Sequence, residues 1–161
     1  MTHTTGPRFR DAVIGDEDSL TLLERTANLR ALAHIFPPEK YPYPTDDVRE
    51  RWRELLHDPS VRVGVSEDAA GLTSFVAFDA DLLRHLAVRP DLWGAGVAKA
   101  AVDWALDRAP TQRLWCLEKN CRALGFYERL GWTRTGRRHH AEFPPYPAEI
   151  ELALTRDQDS A

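Results

Sequence analysis

The sequence predicts a single α/β (α+β) domain with a mixed, mostly antiparallel central sheet of six to seven strands and about four flanking helices. Four segments place apolar residues at helical spacing, and seven short β-branched or aromatic runs are separated by turn residues. The length of 161 residues and the 43% hydrophobic content are typical of one globular domain. We expect this domain to span residues 1–161, with mobile tails at 1–7 and 155–161.

The first 60 residues predict one strand and two helices. Residues 9–14 alternate loosely, and the apolar spacing that follows predicts a helix from Asp16 to about His34. A loop over residues 34–44 contains four prolines, which exclude helix and sheet. Thr45 or Asp46 then begins a second helix as its cap.

The middle of the chain predicts an antiparallel meander of three strands. Turn-forming residues separate runs at 61–66, 72–78 and 82–88. The third strand leads through Gly94 and Gly96 into a helix that ends near Asp107.

The glycine turn is suited to an anion. A helix N-terminus offers unpaired backbone N–H groups and a favourable dipole, which indicates a phosphate-bearing cofactor. A nucleoside-triphosphate loop is disfavoured because Gly96 is not followed by Lys and Ser or Thr, and the dinucleotide fingerprint fails at Lys99. On these residues alone, a tight strand-to-helix connection without a ligand stays open.

The C-terminal part predicts a buried strand at 114–117, parallel to the strand at 82–88 through a right-handed crossover. Asn120 caps the next helix and Gly131 ends it. Strands at 133–138 and 149–154 flank a second loop rich in proline and aromatic residues.

Two segments together resemble the GNAT superfamily of N-acetyltransferases. The first carries the family's Val-x-Pro strand end and glycine turn, and the second its Asn-x-x-Ala-x-x-Phe-Tyr-x-x-x-Gly pattern. Trp93 replaces the family's Gln or Arg at the start of the turn, which suggests a changed rim of the site. The resemblance covers roughly Val61 to Leu154, and the first 60 residues match only in the order of elements. The matching residues are Val88, Pro90, Gly94, Gly96, Ala98, Asn120, Ala123, Phe126, Tyr127 and Gly131, with Trp132 in place of the final Phe.

The resemblance implies a GNAT fold in which two parallel strands diverge and acetyl-CoA enters the gap. The pyrophosphate would lie on the N–H groups of residues 93–98, and the pantetheine arm would run beside the carboxyl end of strand 82–88. An N–H near Ala87 or Val88 would polarise the thioester carbonyl. The implied cofactor-binding residues are Leu86, Ala87, Val88, Trp93, Gly94, Ala95, Gly96, Val97, Ala98, Asn120, Ala123 and Tyr127.

Three residues are candidates for catalysis by direct transfer to an amine. Tyr127 matches the family's general acid, which protonates the leaving thiolate, although an aromatic pair on a helix is often core. His85 is a candidate base because imidazole titrates in the useful range, unless strand alternation turns it away from the site. Glu118, at the end of the other diverging strand, is the alternative base. Cys116 is interpreted as a small buried hydrophobe.

Two aromatic loops are expected to wall the acceptor pocket, which favours a small-molecule primary amine. Alternatives are a protein N-terminal or lysine acetyltransferase, a non-catalytic acyl-CoA-binding module and a nucleotide-binding protein that uses the same glycine turn. The expected substrate-binding residues are Phe36, Tyr41, Tyr43, Phe143 and Tyr146.

Composition restricts the partners. A net charge of −4 argues against nucleic acid, and no apolar run is long enough to span a membrane. Two cysteines do not make a disulfide framework, and the adjacent His139 and His140 point to opposite faces of a strand, so no metal is assigned. We expect a cytoplasmic monomer or homodimer.

Overall fold

The computed structural model describes residues 6–155 and confirms the predicted fold class. Its seven strands form one sheet in the order β1-β2-β3-β4-β5-β7-β6, with four α-helices among the described residues. The strands are β1 (Arg10–Asp11), β2 (Arg62–Asp68), β3 (Gly71–Phe78), β4 (Leu82–Val88), β5 (Arg113–Leu117), β6 (Trp132–His140) and β7 (Ala148–Leu154). The helices are α1 (Glu17–Ala31), α2 (Thr45–His57), α3 (Val97–Leu106) and α4 (Cys121–Arg129).

The N-terminal part differs from the prediction in three details. β1 is only two residues long, because the chain turns at Asp16, whose carboxylate accepts the backbone N–H of Val13 at 2.8 Å. Helix α1 ends at Ala31 instead of His34. The predicted cap of α2 is wrong, since Pro44 occupies that position and Thr45 is already helical.

Other boundaries lie close to the prediction. β4 has the predicted bounds, and the Asn120 side chain accepts the backbone N–H of Ala123, which confirms it as the cap of α4. Gly131 follows α4 with a positive φ of 97°, as a helix-ending glycine does. The expected tails at 1–7 and 155–161 lie mostly outside the described residues, and the single domain stays a prediction.

The two faces of the sheet carry separate apolar clusters. Helices α1 and α2 cover β2, β3 and the end of β4, where Trp52 meets Phe75 edge-on with ring centroids 4.8 Å apart. Helices α3 and α4 cover the opposite face, against β3, β5 and β7. Helix α3 packs through residues at helical spacing, since Val97, Ala101, Val102 and Ala105 are all buried.

Strands β4 and β5 are parallel neighbours that diverge, as the resemblance implied. Their pairing is limited to Leu82 with Arg113 and Leu83 with Leu114. β5 continues to Leu117 in register with β7, whereas β4 stays with β3 up to Val88. A gap therefore opens between the carboxyl ends of β4 and β5.

A β-bulge in β4 changes which way its side chains face. Ala77 of β3 pairs with His85 and Phe78 pairs with Leu83, so Arg84 is an extra residue in the ladder. The side chains of His85 and Ala87 therefore share the α1/α2 face with their partners Ala77 and Phe75, which belong to that cluster.

Within residues 6–155, no helix combines the length and apolar character that a bilayer span requires.

Candidate active site

Two cavities meet at the divergence of β4 and β5. The larger one, with a volume of about 990 Å³, lies on the α1/α2 side and is called the acceptor cavity below. The smaller one, with a volume of about 350 Å³, lies between β4, α3 and α4 and is called the cofactor groove. Both contact the same seven residues: Asn28, Leu32, Leu86, Ala87, Asn120, Ala123 and Tyr127.

The glycine turn forms the rim of the cofactor groove. Gly94 and Gly96 both have a φ of 84°, a conformation that a residue with a Cβ adopts only at a cost. A Cβ would meet no atom within 4 Å at either position, so the turn requires glycine for its backbone conformation and not for space.

The backbone N–H groups of the turn are divided between two uses. Those of Trp93 and Ala95 donate to the carbonyls of Pro90 and Leu92, each at 3.2 Å, so they are engaged within the turn. Ala95 also lies outside the groove lining. The other four N–H groups of residues 93–98 have no hydrogen-bond partner within residues 6–155. They belong to Gly94, Gly96, Val97 and Ala98. These four can bind an anion at the start of α3.

Trp93 lies across the rim of the groove. Its Nε1–H donates to the carbonyl oxygen of Val88 at 2.8 Å, and the Arg122 guanidinium lies 3.7 Å from its ring centroid. The groove is thus still formed with Trp93 in place of the family's Gln or Arg. Its wall at this point is the Trp93 ring with the Arg122 guanidinium stacked on it.

The edge of β4 that faces the gap carries backbone groups that do not pair with β3 or β5. Arg89 N–H donates to Thr73 on the β3 side at 2.8 Å, so alternation directs the backbone groups of Leu86 and Val88 toward the gap. The predicted polarising N–H is thus that of Val88, because Ala87 faces β3.

Tyr127 is the aromatic residue at the junction of the two cavities. It lies on α4 and is 8% exposed, with the rings of Phe126 and Trp132 beside it. Burial raises the pKa of its hydroxyl, with a smaller contribution from Cys116, so the proton is retained at neutral pH. A protonated phenol at this junction is placed to act as an acid.

His85 faces the acceptor cavity, because the bulge at Arg84 turns it to the α1/α2 side. Its ring lies edge-on to Trp52, with centroids 5.6 Å apart. Burial lowers the pKa of His85 well below its ordinary value, and the charges of Arg51 and Arg84 lower it further. The imidazole is therefore neutral over the physiological range.

Glu118 lies outside the lining of both cavities. Its Oε2 is 2.7 Å from Nη2 of Arg138 on β6, in an ion pair. Its predicted role as a base gains no geometric support from this position.

Four of the five predicted acceptor-site aromatics line the acceptor cavity: Phe36, Tyr41, Tyr43 and Phe143. Tyr146 does not. It is 55% exposed, with a φ of 57° on the outside of the loop, and its N–H donates to the Phe143 carbonyl. The turn that brings Phe143 into the wall directs Tyr146 to solvent.

A buried polar network in the same wall had not been predicted. Glu24 of α1 is 7% exposed and accepts the Tyr43 hydroxyl at 3.1 Å and an N–H of Arg51 from α2. Burial and the Glu24 charge raise the pKa of Tyr43. The helical spacing of α1 and α2 showed no signal for this network, because its members converge only when the helices pack.

Cys116 is buried in the core below α4, and burial raises the pKa of its thiol to about 12. This confirms its interpretation as a small hydrophobe. No cluster of three or more His, Cys, Asp or Glu suited to a metal occurs in the described part of the chain.

The comparisons with known proteins identify the class. The model of the Acetyltransferase (GNAT) family matches residues 26–132. This chain therefore belongs to the GNAT acetyltransferase family, which uses acetyl-CoA. The match begins well before Val61, so the family pattern extends further toward the N-terminus than the motifs indicated.

Individual relatives agree with this class. Peptidyl-lysine N-acetyltransferase YjaB from Salmonella typhimurium is 34% identical over 102 residues, which cover 63% of this chain and 70% of that protein. A GCN5-related N-acetyltransferase from Rhodopseudomonas palustris superposes with a TM-score of 0.77 at 14% identity, covering 97% of this chain and 99% of that one. The PaiA N-acetyltransferase from Thermoplasma acidophilum, solved in complex with coenzyme A, superposes with a TM-score of 0.73 at 14% identity over 93% and 100% of the two chains.

The residues present fit acetyl-CoA. The gap-facing edge of β4 at Leu86 and Val88 and the unpartnered amides at the start of α3 line one groove with Tyr127, and the Val88 carbonyl on that edge already accepts the Trp93 Nε1–H. These are the backbone features that a diphosphate and an extended amide-containing arm require.

Proposed function

We propose that this acetyltransferase moves the acetyl group of acetyl-CoA to a primary amine of a small molecule by direct attack. The observation that carries the proposal is the meeting of the acceptor cavity and the cofactor groove at Tyr127. An amine in the first cavity would thereby reach a thioester held in the second without a covalent enzyme intermediate.

One backbone N–H and two kinds of side chain at the junction support this chemistry. When bound, acetyl-CoA supplies an acetyl group activated as a thioester. Val88 N–H would polarise the carbonyl, and Tyr127 would donate its proton to the leaving sulfur. A base must also take a proton from the ammonium, and the imidazoles on the cavity wall, which include His85, have the chemistry for it.

The size and composition of the acceptor cavity support a small molecule. Its volume of about 990 Å³ is near the upper end of the usual range for small-molecule sites, roughly 300–1,000 Å³. Two proline-containing loops contribute Phe36, Tyr41, Tyr43 and Phe143 to its wall, so a compact acceptor would be held on several sides.

Acetylation of protein lysine is the second candidate. The supporting observation is the 34% identity to a protein named as a peptidyl-lysine N-acetyltransferase. A lysine side chain would need to enter the same cavity from a polypeptide on the surface.

Thiol release from acetyl-CoA distinguishes these candidates. The enzyme is assayed with a panel of small primary amines, lysine-containing peptides and peptides with free α-amines. We expect the highest kcat/KM with a small amine. A lysine peptide exceeding every small amine would support the second candidate, and release with none of them would contradict both.

A further inference from the structure

A second titratable pair lies on the wall of the acceptor cavity, away from β4. His139 of β6 and Glu149 of β7 face each other in the antiparallel ladder, with Nε2 of the imidazole 2.8 Å from Oε1 of the carboxylate. The His139 ring stacks on Trp115 of β5 with centroids 3.8 Å apart. All three side chains line the cavity. The carboxylate and the indole together hold the imidazole in one orientation.

Glu149 selects the ring nitrogen of His139 that is available to a substrate. A carboxylate only accepts hydrogen bonds, so Nε2 carries the hydrogen and Nδ1 keeps its lone pair. The same carboxylate stabilises the positive charge that the ring acquires when it takes a proton. The pair therefore has the arrangement of a general base with its orienting partner.

The surroundings of His85 have the opposite character. Arg51 and Arg84 lie on the same cavity wall, and both disfavour a positive charge on that imidazole. Among the described residues, no carboxylate hydrogen bonds to the His85 ring. Arg51 and Arg84 are each ion-paired with a carboxylate, Glu24 and Asp79, whereas the carboxylate of Glu149 bonds to the His139 ring itself.

Exposure also distinguishes the two histidines. Acetylation of an ammonium releases one proton overall, which has to reach solvent. The His139 side chain is 44% exposed, whereas His85 lies under Trp52. His139 is thus able to pass a proton on directly.

We infer that His139, held by Glu149 and Trp115, is the catalytic group that takes a proton from the acceptor ammonium. The inference rests on the function proposed above. The amine nitrogen forms a bond to the acetyl carbon while the carbon–sulfur bond breaks. Of the two protons that the nitrogen loses, one goes through His139 to solvent and the other restores Tyr127 after it has protonated the sulfur. Glu149 is a positioning residue.

The remaining charges around the pair are mostly engaged with one another. Arg138 pairs with Glu118, and Arg137 lies 3.4 Å from Glu151. The carboxylate that contacts the His139 imidazole directly is that of Glu149. The titratable or charged groups facing this region from β5, β6, β7 and the connecting loop are Arg113, Glu118, Arg137, Arg138, His140, Glu142 and Glu151.

The test compares pH profiles of kcat/KM, using acetyl-CoA and the best amine of the panel, over pH ~6 to ~10 so that imidazole and amine both titrate. The variants are His139→Gln, Glu149→Gln and His85→Gln. His57→Gln is the matched control, because His57 is also exposed with one ring nitrogen bonded to a protein oxygen, Arg53 O at 2.8 Å, and lies outside both cavities. The Kd of each variant for coenzyme A, measured by calorimetry, is compared with that of the wild type to check that the fold is retained.

We expect His139→Gln to lower kcat/KM about 10²-fold near neutral pH. The deficit should shrink toward pH ~10, where the free amine no longer needs a base. Glu149→Gln should lower kcat/KM in the same pH-dependent manner but by less, because the imidazole is kept and only its orienting carboxylate is lost. His57→Gln should match the wild type.

A profile of His139→Gln that equals the wild-type profile, or a deficit that is the same at every pH, would overturn the assignment. If only His85→Gln shows a loss of kcat/KM near neutral pH that shrinks toward pH ~10, His85 is the base. If the wild-type enzyme releases no thiol with any amine while still binding coenzyme A, the proposed function fails, and this assignment fails with it.

Discussion

The cofactor groove and the acceptor cavity are built from different parts of the chain. Residues of two strand–helix connections, between Leu86 and Lys99 and between Asn120 and Arg129, form most of the groove, and its anion-binding candidates are backbone N–H groups. Side chains from α1, the loop before α2, β4, β5 and the β6–β7 loop converge to form the cavity. Cofactor binding should therefore depend on backbone conformation, and acceptor recognition should depend on individual side chains.

The largest effect is expected at the junction, where both regions meet. Tyr127→Phe removes the hydroxyl and keeps the ring packing, so kcat should fall about 10²-fold or more while the Kd for coenzyme A stays within about threefold. Thiol release and calorimetry measure the two quantities. Tyr146→Phe removes an exposed hydroxyl outside both cavities and should change neither. Unchanged kcat in Tyr127→Phe would exclude the acid role.

A substitution in the glycine turn tests the groove. Gly96→Ala places a Cβ at a φ of 84°, which costs about 1–2 kcal/mol unless the turn moves, so we expect coenzyme A to bind about tenfold more weakly. Gly15→Ala is the control, because its φ is 111° and a Cβ there also meets open space. The control should lose stability on urea unfolding but retain cofactor affinity. Equal affinities of the two variants would contradict the backbone account.

A substitution in the wall of the acceptor cavity tests the other half of the comparison. Tyr43→Phe removes the 3.1 Å hydrogen bond to buried Glu24, so the KM for the amine should rise roughly 2- to 10-fold, as the loss of one hydrogen bond implies. The Kd for coenzyme A should not change. Tyr41→Phe, in the same loop but without such a bond to Glu24, should have a smaller effect on KM. A matching loss of cofactor affinity in Tyr43→Phe would show that the two regions are not separable.

The smallest effect is a pH dependence of stability. Because the pKa of His85 is lowered in the folded state, the unfolded chain binds a proton below pH ~6.5 while the native protein does not. This contribution to stability is present above that pH and is lost as the pH falls toward the folded-state pKa, by at most about 1.4 kcal/mol per pH unit. Urea unfolding between pH ~7 and ~5 should therefore show a flatter decline for His85→Gln than for the wild type. Equal slopes would contradict a lowered pKa of His85, because they require the native and unfolded states to bind its proton equally.

The cofactor groove could be predicted from the sequence more fully than the acceptor cavity. The turn at Gly94 and Gly96, the cap at Asn120 and the position of Tyr127 depend on neighbours within a few residues, so the motifs located them. The internal bonds of the Trp93 and Ala95 amides were not visible in the sequence, because they depend on the short 3₁₀ turn at Pro90–Leu92 and the residues after it. The sequence predicted the side chains of the acceptor cavity less well, and Tyr146 lies outside its lining because a single turn reverses the direction of the chain.

By itself, the sequence determined the order of the elements, the glycine turn before α3 and the family, since hydrophobic spacing, glycine conformation and helix caps are local properties of the chain. Only the tertiary structure decided that the bulge at Arg84 turns His85 into the cavity, that Glu24 meets Arg51 and that His139 stacks on Trp115 beside Glu149. The physical reason is that these contacts depend on strand register and helix packing between segments far apart in sequence, and a one-residue shift of register moves every side chain to the other face of the sheet.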